Sequence, residues 1–456
     1  MAIDSAGRRQ ITMVAFLQAQ NCSNYAASWR HRDAAPDFLT AEYYQRVARV
    51  LEAGCFDLAF FDDRLAMPDR YGDDHADAVR HGVRVVKMDL VPLMTAMGLA
   101  TRHLGIGGTY STTYYQPFHV ARVFATLDHM LGGRAAWNVV TSLNDSEAAN
   151  FGLAVHPEHD ARYDVADEFM EAVLGHWDTW EDDAIVRDQA SGLFAHPENV
   201  HRLDHRGANF RSRGPFTVPR TPQGRPVIIQ AGQSGRGRRF AARWGELLFV
   251  IYPNLAVARQ SYRAVKDEIA RAGRDPKLVA IAPAVYCIVG ETQSIAEEKA
   301  AYIESLAHPL DTLVLLSEVT NFDFASKGLD DPFTDAELAS ITGLQALRDR
   351  VVQAAGTPHP TTRDFIKHSG RGTLRELPRF IGTPKTIADG LEEWFTTEAC
   401  DGFVLAATHV PGAYEDFVTH VVPELQRRRL FRQAYGGTTL REHLGLPRAA
   451  RGDWKR

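Results

Sequence analysis

A (β/α)8 TIM barrel is the fold this sequence predicts. Short apolar runs alternate with longer stretches of helical periodicity, and the alternation occurs eight times along the chain. Eight such units with apolar strands favour a closed barrel over an open doubly wound sheet. The 456 residues would allow two or three domains by length alone. Barrels run long as single domains, however, so residues 1–456 are read as one.

The first strand falls at 11–17, and a helix follows over about 40–53, where Gly54 is placed to end it. The second strand is 57–61. Residues 88–101 read as a helix and 104–109 as the third strand. Val120, Ala121, Phe124, Leu127 and Leu131 then recur with helical spacing until Gly132-Gly133 stops them. The fourth strand is 134–140. Val165, Phe169, Val173 and Trp177 mark the next helix. The remaining strands are 226–230, 247–251, 278–289 and 402–405. Their helices are 235–244, one to about 272, one to about 306, and one through 425. Two stretches break the rhythm. Residues 185–222, rich in Gly, Pro, His and Arg, form an excursion with short strands. Residues 307–380 form a long insertion before the eighth unit. Loops this long are usually functional or mobile.

Composition excludes several classes. The chain is 45% hydrophobic and 24% charged, as globular proteins are. A formal net charge of −6 argues against nucleic-acid binding. No apolar run approaches the roughly 20 residues of a membrane helix. Residues 1–10 lack the apolar core of a signal peptide. Cys22, Cys55, Cys287 and Cys400 form no CxxC pair, so neither a disulfide scaffold nor a zinc ribbon is expected. A cytoplasmic protein is expected.

Active sites of parallel barrels sit at the C-terminal ends of the strands. In this chain several strand ends are polar. The stretch "GGRAAWNVVTSLNDSEAANFG" (132–152) follows an apolar strand at once with Asn138, Thr141, Ser142, Asn144, Asp145 and Asn150. The second strand ends in Asp62-Asp63, the third in Thr109, the fifth in "QAGQSGRG". Any one of these could merely cap the next helix; four together point to a bound ligand. "VIIQAGQSGRGRRF" (227–240) is the best anion site. Gly232, Ser234 and Gly235 lead into a helix with Arg236, Arg238 and Arg239, and glycines and a helix start both favour an anion. It is neither a Walker loop nor GxGxxG, and an ordinary strand-to-helix turn is the competing explanation. His159 and Tyr163 would share one face if their helix begins near His159. His156 and His159 lack the further ligands that a metal site needs. There is no GxSxG, no HExxH and no evident nucleophile, so no catalytic residue is assigned.

Two longer stretches carry a resemblance. "TRHLGIGGTYSTTYYQPFHVARVFATLDHM" (101–130) with "GRAAWNVVTSLNDSEAANFG" resembles the bacterial luciferase-like flavin monooxygenases. The likeness is to the branch of nitrilotriacetate and dibenzothiophene sulfone monooxygenases. It extends from "SWRHRDAAPDFL" through "HDARYDVADEF", "HPENVHRLDHRG" and "QAGQSGRGRRFA" to "PGAYEDFV" and "TTLREHLGL". Residues 320–380 match least.

The resemblance implies an oxygenase that binds reduced FMN delivered by a separate NAD(P)H:FMN reductase. Oxygen adds to the flavin C4a, and the peroxyflavin oxygenates a small aromatic or heteroatom-bearing substrate. Asp63 and Thr109 are then expected at the isoalloxazine and ribityl region, and Asn138 at the ring. His159, Tyr163 and Ser234 are expected at the phosphate, with the backbone of Gly232 and Gly235. A homo-oligomer, dimer or tetramer, is also expected. Strand-end position makes Phe16, Phe61, Trp137 and Phe249 pocket candidates, with Tyr25 and Arg30 for polar recognition. Residues 307–380 are the expected lid. Sulfone monooxygenases carry two pocket histidines whose places here are taken by Ala26 and Val319. That departure favours a more apolar substrate, such as a halogenated aromatic. A deazaflavin-dependent hydride-transfer enzyme, or a flavin-binding protein without catalysis, are the alternatives.

Overall fold

Residues 7–455 are described by a computed structural model. Eight parallel strands close on themselves: β1 (Thr12–Gln18), β2 (Leu58–Asp62), β3 (Gly105–Ser111), β4 (Ala135–Val140), β5 (Val227–Gln230), β6 (Leu247–Val250), β7 (Ala280–Val289) and β8 (Gly402–Ala406). The seam is made where β6 pairs β7, with Leu247 beside Ala280, and where β8 pairs β1, with Gly402 beside Thr12. Helices α1 (Ala41–Ala53), α2 (Leu90–Leu99), α3 (Pro117–Met130), α4 (His159–Trp177), α5 (Gly235–Trp244), α6 (Leu255–Arg271) and α7 (Gln293–Ser305) follow the strands. This is the expected TIM barrel.

Successive side chains of a strand face opposite sides, and this sorts the core into two layers. Val14, Phe16, Leu58, Phe60, Ala136, Ile229, Leu247 and Val404 fill the barrel interior. Met13, Leu17, Phe61, Ile106, Trp137, Val139, Ile228 and Phe403 pack outward against the helices. Trp137 shows the outer layer's weight. Its indole is fully buried, lies 5.7–6.4 Å from the rings of Phe124, Phe169 and Trp177, and donates to the Tyr110 carbonyl at 3.1 Å. Burying such a ring contributes about 3 kcal/mol.

The excursion at 185–222 contains two short antiparallel pairs, Ile185–Asp188 with Leu193–Ala195 and His205–Arg206 with Arg211–Ser212. The insertion is mainly helical. It starts with α8 (Pro309–Thr320), contains Asp335–Ser340, Gln345–Ala355 and Thr362–Ser369, and ends in a strand, Arg379–Gly382. That strand pairs the C-terminal end of β7, Tyr286–Val289, and has no counterpart in the sequence reading. α9 (Pro384–Thr396) then leads to β8. The last helix is also not continuous. Gly412–Asp416 and Val422–Arg427 are joined by a wider turn, Phe417–Val421. Pro423 cannot donate a helical hydrogen bond, which loosens the winding before it.

One end of the barrel is plugged. Leu440, Leu444 and Leu446 of the C-terminal segment join the interior cluster, and Arg441 pairs with Glu246 at 2.8 Å. This is the N-terminal end of the strands. No helix of the described residues is long and apolar enough to cross a membrane.

Candidate functional site at the C-terminal ends of the strands

Polar side chains replace apolar ones on the inner face as each of the first four strands ends. In β1 the order is Val14, Phe16, Gln18; in β2 it is Leu58, Phe60, Asp62. Thr109 follows Gly107 in β3, and Asn138 follows Ala136 in β4. Gly107 is closely packed: a Cβ there would lie 3.2 Å from both Ala136 and Ile229. The rings of Phe16, Phe60 and Phe249 meet beneath these groups, with Phe16 5.5 Å from Phe60 and 5.0 Å from Phe249.

Asn138 and Thr109 form a unit. Thr109 donates its hydroxyl to the Phe61 carbonyl at 2.8 Å and accepts from the Asn138 amide at 2.8 Å. Asn138 is 2% exposed, yet its Oδ1 has no partner among the described residues. A buried acceptor left unpaired costs about 1–3 kcal/mol. Asp63 stands just beyond β2, its carboxylate accepting from the Arg64 backbone at 2.8 Å. Burial pushes its pKa up to about 8, against the opposing pull of Lys87.

The strand-to-helix turn after β5 gathers a second group. Ser234 caps α5, accepting from Gly237 N–H at 3.0 Å. His159 Nε2 lies 3.2 Å from the Ser234 hydroxyl, and His159 Nδ1 faces Asp160. α4 does begin at His159, so Tyr163 shares its face and their rings meet edge-on at 5.2 Å. The Tyr163 hydroxyl reaches Thr141, Gln230 and Ser234, and burial holds its pKa above the usual phenol range, so it stays a donor. A Cβ at Gly232 or Gly237 would come within 2.9 or 2.7 Å of that hydroxyl. Gly235 faces open space, and the first amides of a helix have no internal acceptor. Arg236 does not face this space freely: it pairs with Asp164 and Asp167 of α4.

The polar cluster after β4 has a more divided task than its sequence suggests. Ser142, at φ 56°, donates to Ser111 at 3.0 Å. Asn150 donates to the Leu65 carbonyl at 2.9 Å. The carboxylate of Glu147 accepts from Leu65 N–H at 3.0 Å and from Asn144 N–H at 3.4 Å. Asn321, from the insertion, accepts from Asp145 N–H at 3.2 Å and donates to the Leu143 carbonyl at 3.0 Å. Most of the cluster therefore ties loops together; the Oδ1 atoms of Asn138 and Asn144 are both buried without a partner among the described residues, and of the two only Asn138 stands on a barrel strand.

Several expected pocket residues lie elsewhere. Phe61 and Trp137 point outward, because they alternate with the inner residues Phe60 and Asn138. Tyr25 is buried, its hydroxyl spent on the Ile303 carbonyl at 2.6 Å. Arg30 makes a two-pronged pair with Asp311 of α8, at 2.5 and 3.0 Å, and anchors the insertion. Ala26 packs with Ala78, Val83, Val314 and Leu315; Val319 packs in a separate cluster with Leu316, Phe324 and Phe333. The two positions thus fall in different apolar clusters. Phe16 and Phe249 do face the interior, with Phe60, which the sequence reading passed over although strict alternation singles it out. His156 turns to Tyr114, 3.0 Å away, and not to His159.

A family model described as luciferase-like monooxygenase matches residues 16–399. A dibenzothiophene-sulfone monooxygenase of Rhodococcus erythropolis is 46% identical over 454 residues, 96% of this chain and 97% of that protein. Component A of the nitrilotriacetate monooxygenase of Aminobacter aminovorans is 39% identical over 426 residues, 92% of this chain and 93% of that one. Among solved structures, a riboflavin lyase with a modified FMN and its substrate riboflavin matches with a TM-score of 0.87. It is 32% identical and covers 96% of each chain.

Proposed function

This chain belongs to the luciferase-like monooxygenase family, and we propose that it is the oxygenase component of a two-component system. In this reading a separate NAD(P)H:FMN reductase supplies reduced FMN, and the chain uses it with O2 to oxygenate a small organic substrate. The observation that carries the proposal is the fit of two separate groups to the two ends of one flavin mononucleotide. The unpaired Oδ1 of Asn138 suits a ring N–H. The Ser234 turn, open at Gly235, suits a phosphate.

When bound, reduced FMN supplies the electrons that activate O2. The chain's own residues do the rest. Ser234, His159 and Tyr163 hold the phosphate, with the backbone at Gly232 and Gly235 and the partial positive charge of the α5 start. Asn138 orients the ring, and Thr109 fixes Asn138. Asp63, neutral at pH 7 with its pKa pushed up to about 8, offers an O–H donor at the rim without adding charge. Phe16, Phe60 and Phe249 keep water from the interior. The insertion 307–380 acts as the lid of a single functional domain, anchored by Arg30–Asp311 and by Asn321 on the loop after β4. The reductase partner is supported by the relative whose name makes it one component of a system.

The test supplies FMNH2 from an added reductase under 18O2 and measures product mass for a panel of sulfides, sulfones and amines. One 18O atom in the product is expected. Product formed equally well without oxygen would reject the proposal.

A further inference from the structure

We propose that His31 and His409 form an acid-released clasp: their stacked rings hold the loop that anchors the insertion, and protonation parts them. The clasp is read from contacts within this chain and does not rest on the oxygenase reading above.

The two rings lie face to face, with centroids 3.7 Å apart and planes 7° from parallel. They join two loops beyond the C-terminal ends of the strands. His31 follows the helical turn Ala26–Arg30 after β1, and His409 lies just beyond β8. The same loops are tied by Ser23, which donates to the Ala407 carbonyl at 2.6 Å, and by Ala35 N–H, which donates to the Val410 carbonyl at 3.1 Å. Gly412 makes room for the stack: a Cβ there would lie 2.4 Å from His409 Nε2. Arg30, next to His31, carries the pair with Asp311 that fixes the insertion, and it donates to the Leu306 carbonyl at 3.1 Å. Tyr302 of α7 meets the His31 ring edge-on at 5.1 Å. Whatever frees His31 therefore loosens Arg30 and the start of the insertion.

Hydrogen bonding fixes the charge of the stack. Asp33 N–H donates to His31 Nδ1 at 3.1 Å, so that nitrogen keeps its lone pair and the ring is neutral. His31 is 8% exposed. Two charged imidazoles at this spacing would repel with little water between them. The acids near the pair are already engaged. Asp33 stands 3.9 Å from His31 Nδ1 and is shared with Arg32 at 3.6 Å. Asp416, which also acts on His409, is paired with Lys299 of α7 at 3.0 Å. Arg32 and Lys299 oppose a proton on His31, and Lys299 opposes one on His409. The Tyr302 hydroxyl accepts from Arg32 N–H at 3.0 Å. Burial, and after it the neighbouring His31, holds the pKa of His409 down to about 4.

A histidine freed into water titrates near 6.5. As pH falls below that value, the open loop takes up a proton that the closed stack refuses, so acid favours opening. One proton taken up on opening raises the open fraction about tenfold for each pH unit. A second stacked pair, His81 and His308, lies on the other side of Arg30, which donates to the His81 carbonyl at 2.8 Å. Its rings are 5.0 Å apart and His308 is exposed, so water screens its charges.

The test is hydrogen–deuterium exchange of the full chain, read by mass spectrometry and corrected for the intrinsic pH dependence of exchange. Between about pH 7 and about pH 5, protection of residues 23–31 and 303–320 should fall about tenfold or more, while β3 and α3 keep theirs. His409→Phe keeps a ring in the stack and cannot titrate, so its protection should hold at both pH values. His409→Gln, a smaller neutral side chain, should also lose the response to acid. His81→Gln should leave that response intact. Equal protection at the two pH values, a loss spread over the whole chain, or a response that survives in both His409 variants overturns the proposal. The expected exchange pattern in a protein that binds no flavin would sink the oxygenase reading and leave the clasp standing.

Discussion

The amide of Asn138 donates to the hydroxyl of Thr109 at 2.8 Å, while the carbonyl oxygen of the same side chain is buried without a partner. The pair is oriented for something that donates. Replacing Asn138 by Leu removes the unpaired acceptor, so the flavin-free protein should hold or gain stability by up to about 1 kcal/mol. FMN affinity should fall about tenfold or more in the same variant. Thermal unfolding and a flavin titration together check this. A variant that loses stability and keeps its flavin affinity would contradict it.

The Ser234 turn is argued as the phosphate site. Ser234→Asp would set a carboxylate against the phosphate, at a cost on the order of several kcal/mol if poorly solvated. FMN binding should drop by at least a hundredfold, roughly what 2–3 kcal/mol implies. Riboflavin, which has no phosphate, should bind as it does to the wild type. Equal losses for both ligands would mean that the fold, and not the phosphate contact, was damaged.

Asp63 gives a pH prediction. Burial pushes its carboxyl up to about 8, whereas an unfolded aspartate titrates near 3.9. Between those values the folded protein keeps a proton that the unfolded chain has released. Stability therefore falls as pH rises through this window. Asp63→Asn removes the effect, so its Tm should exceed that of the wild type by a margin that widens from pH 5 to pH 8.5. Parallel Tm curves would show that Asp63 titrates normally.

Arg30 and Asp311 couple the insertion to the segment after β1. The Asp311 side chain is fully buried and Arg30 is 19% exposed. Removing one partner of a buried pair leaves an uncompensated charge and costs about 3–5 kcal/mol. Arg30→Met should lower stability by that order. It should also raise hydrogen peroxide release per flavin oxidised several-fold, because a loosened lid admits water. Unchanged coupling at temperatures where the variant is folded would separate the insertion from solvent exclusion.

Eight strands, their helices and both interruptions were legible in the sequence, because apolar periodicity reports burial directly. The inner or outer direction of a side chain was legible only where alternation was followed strictly. Phe61 and Trp137 stand near strand ends, yet each is one residue out of phase with the inner row of Phe60 and Asn138. The extra strand Arg379–Gly382 was not legible, since its only partner is the overhanging end of β7. Nor was the role of Arg30, whose partner lies 281 positions away in the chain. A sequence counts cations, and only the fold shows which of them find partners.

In the proposed function flavin is a diffusing co-substrate held at Asn138 and at the Ser234 turn. Paired titrations test it most directly, one with oxidised FMN in air and one with FMNH2 under anaerobic conditions. Weak binding of FMN, tighter binding of FMNH2, and no reduction of added FMN by NADH unless a reductase is present are the expected results. A protein that purifies with stoichiometric, tightly bound FMN, and reduces it directly with NADH, would contradict it.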